Sequence, residues 1–93
     1  MESIMQKEKY CLVCGTTHNL HSHHIFFGTA NRKQSEKYGL KVWLCGYHHN
    51  MSNDGVHFNK HLDSQLKQMG QRHFEARYGN REEFIKVFGK SYL

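Results

Sequence analysis

Two pairs of metal-binding side chains, each with a two-residue gap, constrain this chain more than anything else in it: Cys11-x-x-Cys14 near the start and Cys45-x-x-His48 near the middle. Such a gap lets both members of a pair reach one tetrahedral ion. Together the halves offer three thiolates and one imidazole, a closed structural zinc set. The thirty residues between Cys14 and Cys45 exclude the two-Cys, two-His finger, whose central spacing is much shorter. Zinc would therefore tie a knuckle at Cys11–Gly15 to a turn that follows a later strand.

The bulk properties favour a metal over other cross-links. A chain of 93 residues makes one domain that buries too little apolar surface to be secure unaided. Three Cys cannot all pair with one another, and no apolar signal segment follows Met1, which points to the cytoplasm. No run is long enough to span a bilayer. Thirteen Lys and Arg against eight Asp and Glu give a net charge of +5 and a pI near 9.2, a balance that suits a polyanionic partner. Nine His are far more than a chain of this length ordinarily carries, and several should be ligands.

Along the chain, residues 1–9 read as a frayed tail or marginal strand. Asn19–Phe27 suits a strand, and residues 28–39, bracketed by Gly28 and Gly39, read as an exposed basic loop. Leu40–Leu44 has strand propensity in Val42 and Trp43 and delivers Cys45 to a turn at Gly46. A helix near Tyr47 is interrupted by the turn signal Asn53-Asp54-Gly55. From Phe58 the spacing of Leu62, Leu66, Met69 and Phe74 predicts an amphipathic helix, flawed at Gly70 and ending near Tyr78-Gly79. Asn80, with Glu83 three residues later, announces a last helix closed by Gly89.

The residues Cys11, Cys14, His23-His24-Ile25 and Leu44-Cys45-x-x-His48-His49-Asn50 resemble the HNH nucleases, the ββα-metal family, in its small phage and prophage form. His48 stands where the common pattern has a second Cys. The resemblance runs from Cys11 to His57 and implies an α+β fold: a zinc-stabilised ββα-metal core over 10–57 and a helical extension over 58–93, within a single domain, 1–93. It also implies that His23 and His49 ligate a divalent cation and that His24 is the general base. The family's central Asn would fall at Leu40, so Asn31 is the expected substitute. For the third cation ligand His57 is preferred to Asn53. His18 and His21 are expected to be surface or strand-packing residues, and His61 and His73 to lie on helix sides.

The implied function is metal-dependent endonucleolytic cleavage of DNA, by nicking or double-strand cutting with low sequence specificity. Mg²⁺ is the expected catalytic cofactor, although an imidazole-rich site suits Mn²⁺, Ni²⁺ or Zn²⁺. Arg32, Lys33, Lys37 and Lys41 are the expected phosphate contacts, which position a duplex without reading its sequence. Cutting both strands calls for a homodimer or two encounters. Two other classes fit the scaffold: a non-catalytic zinc-dependent nucleic-acid-binding module, and an interaction domain accessory to phage packaging or recombination machinery in a bacterial cell.

Overall fold

Antiparallel pairing of two five-residue strands sets the frame. In a computed structural model describing residues 1–93, β1 (Leu20–His24) pairs with β2 (Lys41–Cys45) in the register Leu20 to Cys45 and His24 to Lys41. Side chains alternate across a strand, so His21 and His23 share the inward face with Leu44 and Val42, which are buried. Ser22, Trp43, His24 and Lys41 share the other face.

β1 stops at His24, short of the expected Phe27, because the next residues turn their backbone elsewhere. The Ile25 N–H donates to the Leu40 carbonyl at 3.0 Å. Ser35 Oγ takes both backbone groups of Phe26, accepting from its N–H at 3.0 Å and donating to its carbonyl at 2.7 Å. Ile25 and Phe26 are thereby sunk into the core.

The expected loop over 28–39 is instead a helix, α1 (Thr29–Tyr38). Its glycines are helix ends: Gly28 precedes the first turn with φ 93°, and Gly39 closes the last in the left-handed region with φ 70°. Between them lie good helix formers, Ala30, Arg32, Lys33, Gln34, Glu36 and Lys37. The run lacks an apolar stripe, and only Ser35 is buried. That is why its periodicity is silent in sequence.

After β2 comes one turn of helix, α2 (Gly46–His49). α3 (Lys60–Arg77) begins at Asn59, whose side chain accepts from the N–H groups of His61 and Leu62, and α4 (Arg81–Phe88) begins at Asn80, which accepts from Glu83 N–H. Leu66 and Phe74 are core as expected, Leu62 is half-buried, and Met69 is turned outward. Phe26, Phe74, Phe84 and Phe88 form one aromatic cluster, with the Phe26 and Phe88 ring centres 4.5 Å apart. Core and extension therefore share a single apolar interior.

Residues 1–9 form no strand, yet they cover the free edge of β2. Gln6 is the pin: its Oε1 accepts from Trp43 N–H at 2.7 Å and its Nε2 donates to the Tyr10 carbonyl at 2.9 Å. The whole is a small α+β arrangement of a two-stranded sheet and four helices. No helix is long and apolar enough to cross a membrane.

Candidate metal centres

Cys11 and Cys14 sit on a knuckle in which Gly15 N–H bonds the Cys11 carbonyl at 2.8 Å. Cys45 ends β2, and His48 faces it from α2. Cys14 Sγ lies 3.8 Å from Cys45 Sγ, and His48 Nδ1 lies 3.3 Å from Cys45 Sγ and 3.9 Å from Cys11 Sγ. An ion with Zn–S of about 2.3 Å and Zn–N of about 2.0 Å would set tetrahedral edges of about 3.5–3.8 Å. The three distances scatter around that figure and all four ligand atoms lie within 4.8 Å of one another, so the group can hold a metal ion and is compatible with zinc.

Electrostatics agree. Burial pushes the Cys11 thiol up, but backbone hydrogen bonds at Cys45, Cys14 and Val13 outweigh it and bring the thiol down to about 6. For Cys14 the Thr16 backbone bond acts downward, while burial and the Cys11 and Cys45 sulfurs leave the thiol above its ordinary value. Crowded sulfurs that resist ionising together are relieved by a cation among them.

A second group forms from His23 on β1, His49 at the end of α2, and His57, their ligand atoms all within 4.8 Å of one another. The turn at Asn53–Gly55 brings His57 home: Val56 N–H bonds the His48 carbonyl at 2.8 Å, and His57 N–H bonds the His49 carbonyl at 3.2 Å. Gly55 is needed there, since a Cβ would stand 2.7 Å from the His49 carbonyl oxygen. His49 Nε2 and His57 Nε2 are 3.1 Å apart, near the spacing of two nitrogens on one cation at about 2.1 Å each. His23 Nε2 is buried without any hydrogen-bond partner, an orphan a metal ion would satisfy. Burial foremost, then the neighbouring His49 and His57, holds His23 down at about 3. Burial, then His57 and His21, holds His49 at about 4. Both rings are thus neutral at physiological pH, the state that ligates.

His21, expected on the surface or in strand packing, lies behind this group with its Nδ1 2.9 Å from His49 Nδ1. With His49 as the donor across that contact, its Nε2 is left for a cation. Lys67 of α3 sits 4.4 Å over the Phe27 ring and adds to the positive field at His23.

His24 closes the arrangement. It borders a cleft of about 220 Å³ together with His23, His49, His57, Phe27 and Arg32. A wider hollow of about 520 Å³ adjoins it, bordered by His24, Thr29, Arg32, Lys33 and Glu36. The largest hollow, about 660 Å³ between the N-terminal segment and the outer face of the sheet, contains no His or Cys.

His24 Nε2 is 3.0 Å from Glu36 Oε1. Glu36 also accepts from Lys41 Nζ and from the Met1 amino group, each at 2.8 Å. Lys41 first, then the amino group and His24, hold its carboxyl well below the usual carboxylate range. The expectation for Asn31 is not met: its Nδ2 donates to the Phe88 carbonyl at 3.4 Å, tying α1 to α4. In a helix, residues five apart point about 140° away from each other, so when Glu36 faces His24, Asn31 faces elsewhere. Of the four expected phosphate contacts, Arg32 and Lys33 border the clefts beside His24. Lys41 is paired with Glu36, and Lys37 lies 5.4 Å over the Tyr38 ring. Glu36 had one sequence signal, as the only acid in the basic 28–39 run.

No family model, curated protein or solved structure matches the chain.

Proposed function

We propose that the protein is a metal-dependent DNA endonuclease of the ββα-metal kind, with zinc in the Cys11, Cys14, Cys45 and His48 group as its structural ion. One observation carries the reading: His24, the three-imidazole group and Arg32 open onto the same cleft. A hydrolysable phosphodiester needs a proton acceptor, positive charge and phosphate anchors within a few ångströms, and the cleft offers all three.

In this mechanism a divalent cation held by His23, His49 and His57 would supply positive charge at the scissile phosphate. His24 removes a proton from water, whose oxygen bonds to phosphorus as the bond to the 3′ oxygen breaks. The departing strand leaves through its 3′ oxygen, which takes a proton from water, and the other strand keeps the 5′ phosphate, as the family resemblance implies. Arg32 and Lys33 take the flanking phosphates, which gives affinity without sequence reading. Three imidazoles favour Mn²⁺ or Ni²⁺ over Mg²⁺ as the ion.

The test is relaxation of supercoiled plasmid by zinc-loaded protein with Mg²⁺, Mn²⁺ or Ni²⁺. His24→Ala should lower the rate by about 10²-fold or more, the usual contribution of a general base. Supercoiled and branched DNA left intact by the wild type with every metal would overturn the proposal.

A further inference from the structure

We infer that Glu36 is the positioning residue for His24: its carboxylate holds the imidazole in the Nε2–H tautomer and turns the Nδ1 lone pair to the cleft. The inference rests on the nuclease reading, and it names the residue that orients the proposed base, a task that Asn31 does not perform. A carboxylate only accepts hydrogen bonds, so the 3.0 Å contact to Glu36 Oε1 places the proton of a neutral His24 on Nε2. Nδ1 is then the one nitrogen able to take a proton from water. The His24 side chain is 14% exposed, so its neighbours limit how far the ring can swing.

The carboxylate is itself held. Its other oxygen, Oε2, accepts from Lys41 Nζ at 2.8 Å, and Lys41 is the cross-strand partner of His24 in the β1–β2 register. Base, carboxylate and lysine therefore form a closed three-residue ring linking β1, α1 and β2. A surface ion pair contributes little to stability, but orientation of a catalytic imidazole by a carboxylate is worth far more to rate, since a wrong tautomer cannot accept the proton.

The experiment compares wild type, Glu36→Ala and Glu36→Gln as full-length zinc-loaded protein, by two readouts. The first is plasmid nicking at saturating Mn²⁺. Glu36→Ala should lower kcat by about 10- to 100-fold with KM within twofold, and Glu36→Gln, whose amide N–H can donate to His24 and favour the wrong tautomer, should be at least as slow. The second is the ¹⁵N shift pattern of the His24 ring in metal-free cleft conditions, which reports the tautomer without any turnover. Wild type should be Nε2–H, and Glu36→Ala should show mixed tautomers while its thermal melting stays close to wild type. A wild-type kcat in Glu36→Ala, a Gln variant as fast as wild type, or a wild-type His24 in the Nδ1–H form each overturns the role of Glu36. Wild-type protein that leaves DNA intact overturns the nuclease reading instead, and with it any catalytic role for Glu36.

Discussion

At the scale of single residues, the nine histidines are sorted by what their ring nitrogens meet. His48 faces sulfurs, His23 faces no partner at all, His24 faces a carboxylate, and His49 is held between two other imidazoles. An unpaired nitrogen buried like His23 Nε2 costs about 1–3 kcal/mol, a penalty that cation binding would remove. His21 belongs to this set through His49. Its place was open to sequence reasoning, because on a strand His21 and His23 must share a face and His23 was already assigned to a cation. We expect His21→Ala to weaken Mn²⁺ or Co²⁺ binding by about 10- to 100-fold, as loss of an outer-shell partner usually does, with zinc content unchanged. Calorimetric titration of zinc-loaded protein measures this; an affinity equal to wild type would remove His21 from the site.

At the scale of elements, the most consequential segment is α1, which sequence reasoning took for a loop. Its ends were marked by glycine, a signal shared by loops and helix caps, and its surface is almost wholly polar, so neither glycine nor periodicity could separate the two. The error carried a second one with it, since in a loop Asn31 could have faced His24, whereas on a helix Glu36 does. By contrast, β2, α3 and α4 were legible because Val42, Leu66, Phe74 and Phe84 repeat at strand or helix spacing and Asn80 caps its helix through Glu83 N–H. Gly70 looked like a flaw in α3 and proves to be a close approach: a Cβ there would stand 3.0 Å from Ile25 Cγ2 and 3.2 Å from the Phe26 ring. What joins α1 to the segment that follows β1 is Ser35, buried and bonded to both backbone groups of Phe26. Ser35→Ala leaves that N–H and carbonyl unpaired in the interior, at a cost of about 2 kcal/mol or more. Urea unfolding of zinc-loaded protein should show the loss as a lower midpoint at an unchanged slope; an unchanged midpoint would mean that water or a backbone shift replaces the hydroxyl.

At the scale of the whole molecule, the two metal groups are mechanically linked through α2. His48 belongs to the sulfur group and His49, the next residue, to the imidazole group, and α2 is a single turn of helix. A helix that short has almost no stability of its own, so its position depends on what its side chains grip. Half of the sulfur group comes from the knuckle, and the knuckle is joined to β2 by Leu12 N–H bonding the Trp43 carbonyl at 2.9 Å. Zinc would thus clamp the knuckle, the end of β2 and the start of α2 as one unit, with an apolar interior of only 12 buried residues to hold the remainder. Cys14 tests this, because it is exposed and its replacement by Ser empties no cavity. Cys14→Ser should lose zinc in metal analysis, lower the melting temperature by well over 10 °C, and abolish Mn²⁺ binding at His23, His49 and His57 although it touches none of them. Retained zinc with unchanged melting would refute the clamp, and lost zinc with intact Mn²⁺ binding would show that the return loop from Asn50 to His57 positions His49 without it.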